Sequence, residues 1–68
     1  MKKLDLSRIK AERVAKGLTQ TEMAEAVGMN RTTYIRKEAG KTDLGVEEFM
    51  AIVTYLGFET TDLSIFFK

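Results

Sequence analysis

The chain contains no proline, so its five glycines, Gly17, Gly28, Gly40, Gly45 and Gly57, are left to punctuate it. Proline would break a helix by removing an amide and crowding the preceding turn. Glycine ends a helix differently: without a Cβ it enters the left-handed conformation at the C-terminus at no steric cost. The glycines divide the chain into short segments, most of which repeat their apolar residues at helical spacing. This predicts an all-α fold, a compact bundle of about five short helices in a single domain over residues 1–68.

The first helix is expected over about Leu6–Lys16. There Leu6, Ile9 and Arg13 share one stripe, and Asp5 or Ser7 is placed to cap the start. The second spans about Thr19–Val27. Thr19 and Glu22 have the spacing of a capping box, and Met23, Ala24 and Val27 face inward. The third runs about Asn30–Ala39 with Asn30 as its N-cap. In the fourth, about Val46–Leu56, the residues Val46, Phe49, Met50, Val53 and Leu56 form a broad apolar stripe. Met23, Met29 and Met50 read as core or turn filler. The last segment, Thr60–Lys68, has two readings: a short helix capped by Thr60 or Thr61, or an extended end at Ile65-Phe66-Phe67.

Several kinds of chemistry are excluded by what is missing. Without cysteine there is no disulfide and no thiolate metal site, and without histidine the commonest zinc ligand and general base are gone. The two serines, Ser7 and Ser64, have no histidine to activate them. No enzymatic activity, metal, cofactor or small-molecule ligand is therefore expected. No apolar run approaches the ~18 residues of a membrane span. Two lysines open the sequence with no apolar stretch behind them, so no signal peptide is expected and a cytoplasmic location is the default.

Charge is divided unevenly. Residues 1–41 hold ten basic and five acidic side chains, a balance of +5, while residues 42–68 hold one and five, a balance of −4. A polyanion is met by the first part and repelled by the second. Within the basic part, Lys2, Lys3, Arg8, Lys10 and Lys16 read as a solvated face.

Between Leu18 and Lys41 two short helices flank a turn that contains Gly28, the helix-turn-helix arrangement. Ala24 is expected where the helices cross, and Tyr34 points back into the core. The run Gly17-Leu-Thr-Gln-Thr-Glu-Met-Ala-Glu-Ala-Val-Gly28, then Arg31-Thr-Thr-Tyr34, then Glu38-Ala-Gly-Lys41, resembles the Cro/C1-type repressors, also called the XRE family. The resemblance covers roughly Ile9–Gly57. It implies a lambda-repressor-like domain whose second helix crosses the DNA backbone while the third lies in the major groove. The implied function is sequence-specific transcriptional regulation, by repression at a palindromic double-stranded DNA operator.

Residue roles follow from the same resemblance. Arg31 and Thr32 stand at the end of the third helix that enters the groove, and Arg36 lies one turn further along. Arginine donates two hydrogen bonds to guanine, and threonine offers a hydroxyl or touches a thymine methyl. Asn30 and Thr33 complete the DNA-facing set, with Ile35 beside them. Gln20 matches the family's glutamine that links the start of the second helix to a phosphate and braces the reading helix, and Lys41 is placed for a backbone contact. The family pairs an arginine at the position of Arg13 with a glutamate at that of Glu38, implying a partly buried ion pair. Two residues depart from the pattern. Lys37 occupies a usually aliphatic position, where its stem is expected over the core with the ammonium snorkelling out. Tyr34 replaces the usual Val or Ile.

Family members pair so that two reading helices enter successive major grooves about 34 Å apart. A homodimer is expected here too, since a small chain without staples gains from association. Leu63, Ile65, Phe66 and Phe67, in the tail at about residues 60–68, are the candidates for the interface; folding back onto their own core is the other reading. The alternative function on this fold is an antitoxin-like or other protein-interaction module. That reading calls for apolar residues along the third helix, where this chain has Arg31, Thr32 and Arg36, with Ile35 the only apolar exception.

Overall fold

The computed structural model describes residues 3–59 and 62–68. Four α-helices follow one another: α1 (Leu6–Ala15), α2 (Gln20–Ala26), α3 (Arg31–Glu38) and α4 (Val46–Tyr55). In place of a fifth α-helix, the described part of the tail holds a 3-10 turn at Ser64–Phe66. The proposed caps Thr60 and Thr61 lie outside the described residues.

Each helix begins where a side chain satisfies its first free amides. Asp5 accepts from the Arg8 amide at 3.2 Å and from the Ser7 hydroxyl at 2.6 Å. Thr19 and Glu22 form the complete capping box, with reciprocal bonds of 3.0 and 2.9 Å. Asn30 Oδ1 accepts from the Thr32 amide at 2.8 Å. At α4 the cap is Gly45, which has no side chain to offer; Glu48 reaches back to its amide at 2.8 Å. Gly45 therefore opens a helix with φ −72°, whereas the other four glycines have positive φ.

One core cluster is built from Ile9, Met23, Ala24, Tyr34, Phe49, Ile52, Val53, Leu56 and Phe66. Its largest share comes from α4 and its C-cap Leu56, where Phe49, Ile52, Val53 and Leu56 recur at the spacing of one helix face. Ile52 belongs to this stripe and was not expected in it. Val46 was expected and is 79% exposed, because the first residue of α4 projects beyond the edge of the core.

The tail corrects a second expectation. Phe66, a candidate for a dimer surface, is fully buried in the chain's own core. Its ring packs edge-on against Phe49 and Phe58, with centroids 5.7 and 5.1 Å away. The backbone around it pairs with the N-terminal segment: Lys3 and Lys68 exchange bonds of 2.9 and 2.8 Å, and the Asp5 amide donates to the Phe66 carbonyl at 2.6 Å. An isolated antiparallel bridge joins Leu4 to Phe67. The tail thus finds its strand partner within its own chain, without the entropy loss of bringing two molecules together.

Candidate nucleic-acid interface

The turn between α2 and α3 is closed by backbone groups. The Met29 amide donates to the Ala24 carbonyl at 2.8 Å, and Gly28 takes φ +74°. A Cβ at Gly28 would meet nothing within 4 Å, so the constraint on this position is conformational rather than steric. The two helices pack directly against each other, with Ala24 buried.

The eight residues of α3 have two sides of opposite character. Inward stand Tyr34, which is buried, and Glu38, whose side chain is only 4% exposed. Each Glu38 oxygen accepts two hydrogen bonds. Oε2 receives Arg13 Nε at 2.9 Å and the Tyr34 hydroxyl at 2.6 Å. Oε1 receives Arg13 Nη2 at 3.2 Å and Gln20 Nε2 at 3.1 Å. Arg13 uses its remaining arm, Nη1, on the Leu18 carbonyl at 2.6 Å. A single carboxylate therefore ties α3 to α1 and to the start of α2, and Arg13 extends the network to the loop between them. Among the described residues no buried side-chain polar atom lacks a partner.

The electrostatics follow from this geometry. Burial pushes the Glu38 carboxyl upward, but the bonds from Arg13, Tyr34 and Gln20 outweigh it and hold the carboxyl below its ordinary value. The Glu38 bond raises Arg13, so the pair stays ionised. Burial, followed by the bond to Glu38, raises the Tyr34 hydroxyl, which remains a donor at any ordinary pH. Tyr34 is thus part of the polar network as well as of the core. Its spacing of four residues from Glu38 on one helix was the available signal.

Outward stand Arg31, Thr32, Thr33 and Arg36, all exposed, with Ile35 half-buried at their margin. Lys41 follows just beyond the helix end and is also exposed; its amide closes the helix on the Arg36 carbonyl at 2.9 Å. Among the described residues, Arg31, Arg36 and Lys41 take part in no ion pair. Asn30 uses its carbonyl oxygen on the cap, and Gln20 gives one of its two amide hydrogens to Glu38. Lys37 departs from the expected snorkel. Its ammonium is held by the Asp43 carbonyl at 2.7 Å and by Glu48 Oε1 at 3.0 Å. No helix of the described residues is long and apolar enough to cross a membrane.

Comparison with curated proteins and with solved structures finds no match. A family model described as Helix-turn-helix matches residues 9–63, a span that contains all four polar anchors of α3 and every residue of its outward face. The chain therefore belongs to the helix-turn-helix family of DNA-binding regulators, of the Cro/C1 type.

Proposed function

We propose that this chain represses transcription by reading a palindromic operator with α3. The observation that carries the reading is the two-sidedness of that helix: Tyr34 and Glu38 fasten one side, while Arg31, Thr32 and Arg36 stand exposed on the other. In this reading Arg31 and Arg36 donate to base edges, and Thr32 and Thr33 contact bases or methyl groups beside them. Gln20, Asn30 and Lys41 meet phosphates and set the register. The free amides at the start of α2 favour a phosphate there as well. The acidic balance of residues 42–68 disfavours a polyanion against that part of the chain.

One such helix covers only a few base pairs, too little to single out a site among competing sequences. We infer that two chains bind together, one per half-site. With Phe66 taken into the core, Ile65 and Phe67, each 37% exposed, are the tail residues with apolar surface to offer a second chain, beside a half-buried Leu63.

Selection from a random duplex pool, followed by amide shift mapping on the selected site, tests the reading. Shifts should cluster within residues 18–42, with two chains per duplex by sedimentation. Arg31→Ala should cost about 1–3 kcal/mol on the selected site and relax the preference at one base pair. Shifts concentrated in residues 46–68 would end this reading.

A further inference from the structure

Between α3 and α4 the chain runs through an exposed stretch, Lys41-Thr42-Asp43, before Leu44 turns inward. The polar side chains holding this stretch against α3 are few. Lys37, in the last turn of α3, donates to the Asp43 carbonyl at 2.7 Å and pairs with Glu48 Oε1 at 3.0 Å. The same Glu48 oxygen accepts the Gly45 amide at 2.8 Å. One carboxylate oxygen thus joins α3, the loop and the first turn of α4. The geometry is directional. An aliphatic side chain at position 37 would pack against the core but would leave the Asp43 carbonyl and the Glu48 carboxylate to water. Lys37 is half-buried, and its ammonium is already engaged by two acceptors of its own chain.

We propose that Lys37 is a positioning residue: clasped by the Asp43 carbonyl and Glu48, it fixes the loop that carries Lys41 against the end of α3, and so sets where Lys41 meets DNA without touching DNA itself. This rests on the DNA reading proposed above. It makes an unusual prediction about charge. Glu48 repels a polyanion, so on electrostatics alone its neutralisation should strengthen DNA binding. If Glu48 instead anchors the clasp, its neutralisation weakens binding.

The test measures affinity and its salt dependence for the wild type, Lys37→Met, Glu48→Gln, the double variant and Lys41→Ala, all on the selected duplex. Glutamine keeps a carbonyl oxygen for the Gly45 amide, so the helix start stays capped. The double variant has the net charge of the wild type. We expect Lys37→Met and Glu48→Gln each to weaken binding about two- to fivefold, the scale of one partly exposed ion pair. The double variant should be no weaker than the weaker single. Lys37→Met should leave the log–log salt slope unchanged, because Lys41 still reaches its phosphate once the loosened loop is ordered on the DNA and only that ordering costs affinity, whereas Lys41→Ala should flatten it by about 0.9, one phosphate contact. Amide exchange over residues 41–45 should quicken in both clasp variants while α1 and α4 keep their protection. Tighter binding by Glu48→Gln, wild-type affinity restored in the double variant, or a slope flattened by Lys37→Met would each overturn the proposal. A wild type with no salt-dependent binding at all would instead remove the DNA reading on which it rests.

Discussion

The reading helix and α4 are anchored by opposite means. α4 contributes Phe49, Ile52 and Val53 to the core and is held by apolar burial, which is strong and indifferent to direction. α3 buries only Tyr34 and is otherwise held by hydrogen bonds converging on Glu38, bonds that need donors at set distances and angles. The difference suits two tasks. A helix that must leave most of its surface to a partner has little apolar area to bury, so its orientation is set by directional contacts. A helix with no such duty is free to carry the stability of the domain.

The largest effect should come from breaking the apolar side. Phe66→Ala removes a fully buried ring from contact with Phe49 and Phe58, at a cost of about 3–5 kcal/mol. Because the loss is in the shared core, the whole domain should unfold earlier in denaturant with an unchanged slope. Where native protein persists, the α3 network should stay intact.

A somewhat smaller effect, of different character, should follow Arg13→Met. It leaves the Glu38 carboxylate buried without its ion partner and the Leu18 carbonyl without a donor. Breaking a buried pair costs about 3–5 kcal/mol, and the low end is expected because Tyr34 and Gln20 still donate to Glu38. Amide exchange should separate the two variants. Arg13→Met should quicken exchange within Arg31–Glu38 relative to α4, whereas Phe66→Ala should quicken both together. Equal loosening of the two helices by Arg13→Met would break the comparison.

The same contrast governs what could be read from the residues. Helix starts were legible because capping is local: Asp5, Thr19 with Glu22, and Asn30 act within three residues of themselves. The pairing of Arg13 with Glu38, 25 residues apart, was reached only through the family resemblance, since nothing local links them. The place of Phe66 was out of reach for a related reason. It depends on Lys3 pairing with Lys68 across the whole chain, and an apolar tail looks the same whether its partner is itself or another copy. Val46 misled because periodicity marks a face of the helix and not where along it the core ends. The clasp at Lys37 was hidden because one of its acceptors is a backbone carbonyl, which no side-chain pattern announces.

The smallest effect, and the one that isolates the polar anchor, is in acid. Glu38 has its carboxyl held below the ordinary 4.5 in the folded chain. A group whose folded value is depressed contributes stability that is fully present above its unfolded value and is lost as pH falls through the folded one. The contribution of Glu38 should therefore be intact at neutral pH and fade only below about 4.5. Glu38→Gln removes the titrating group, so its stability should be lower at neutral pH but should fall less steeply in acid. Some slope must survive, because Glu22 and Glu48 are also held low, by the Thr19 and Gly45 amides respectively. Phe66→Ala serves as the control from the other region: Phe66 does not ionise, so its curve should lie below that of the wild type with the same shape. Denaturant titrations of the three proteins across this range give the answer, and a Glu38→Gln curve parallel to the wild type would mean that α3 is not held by the charge on Glu38.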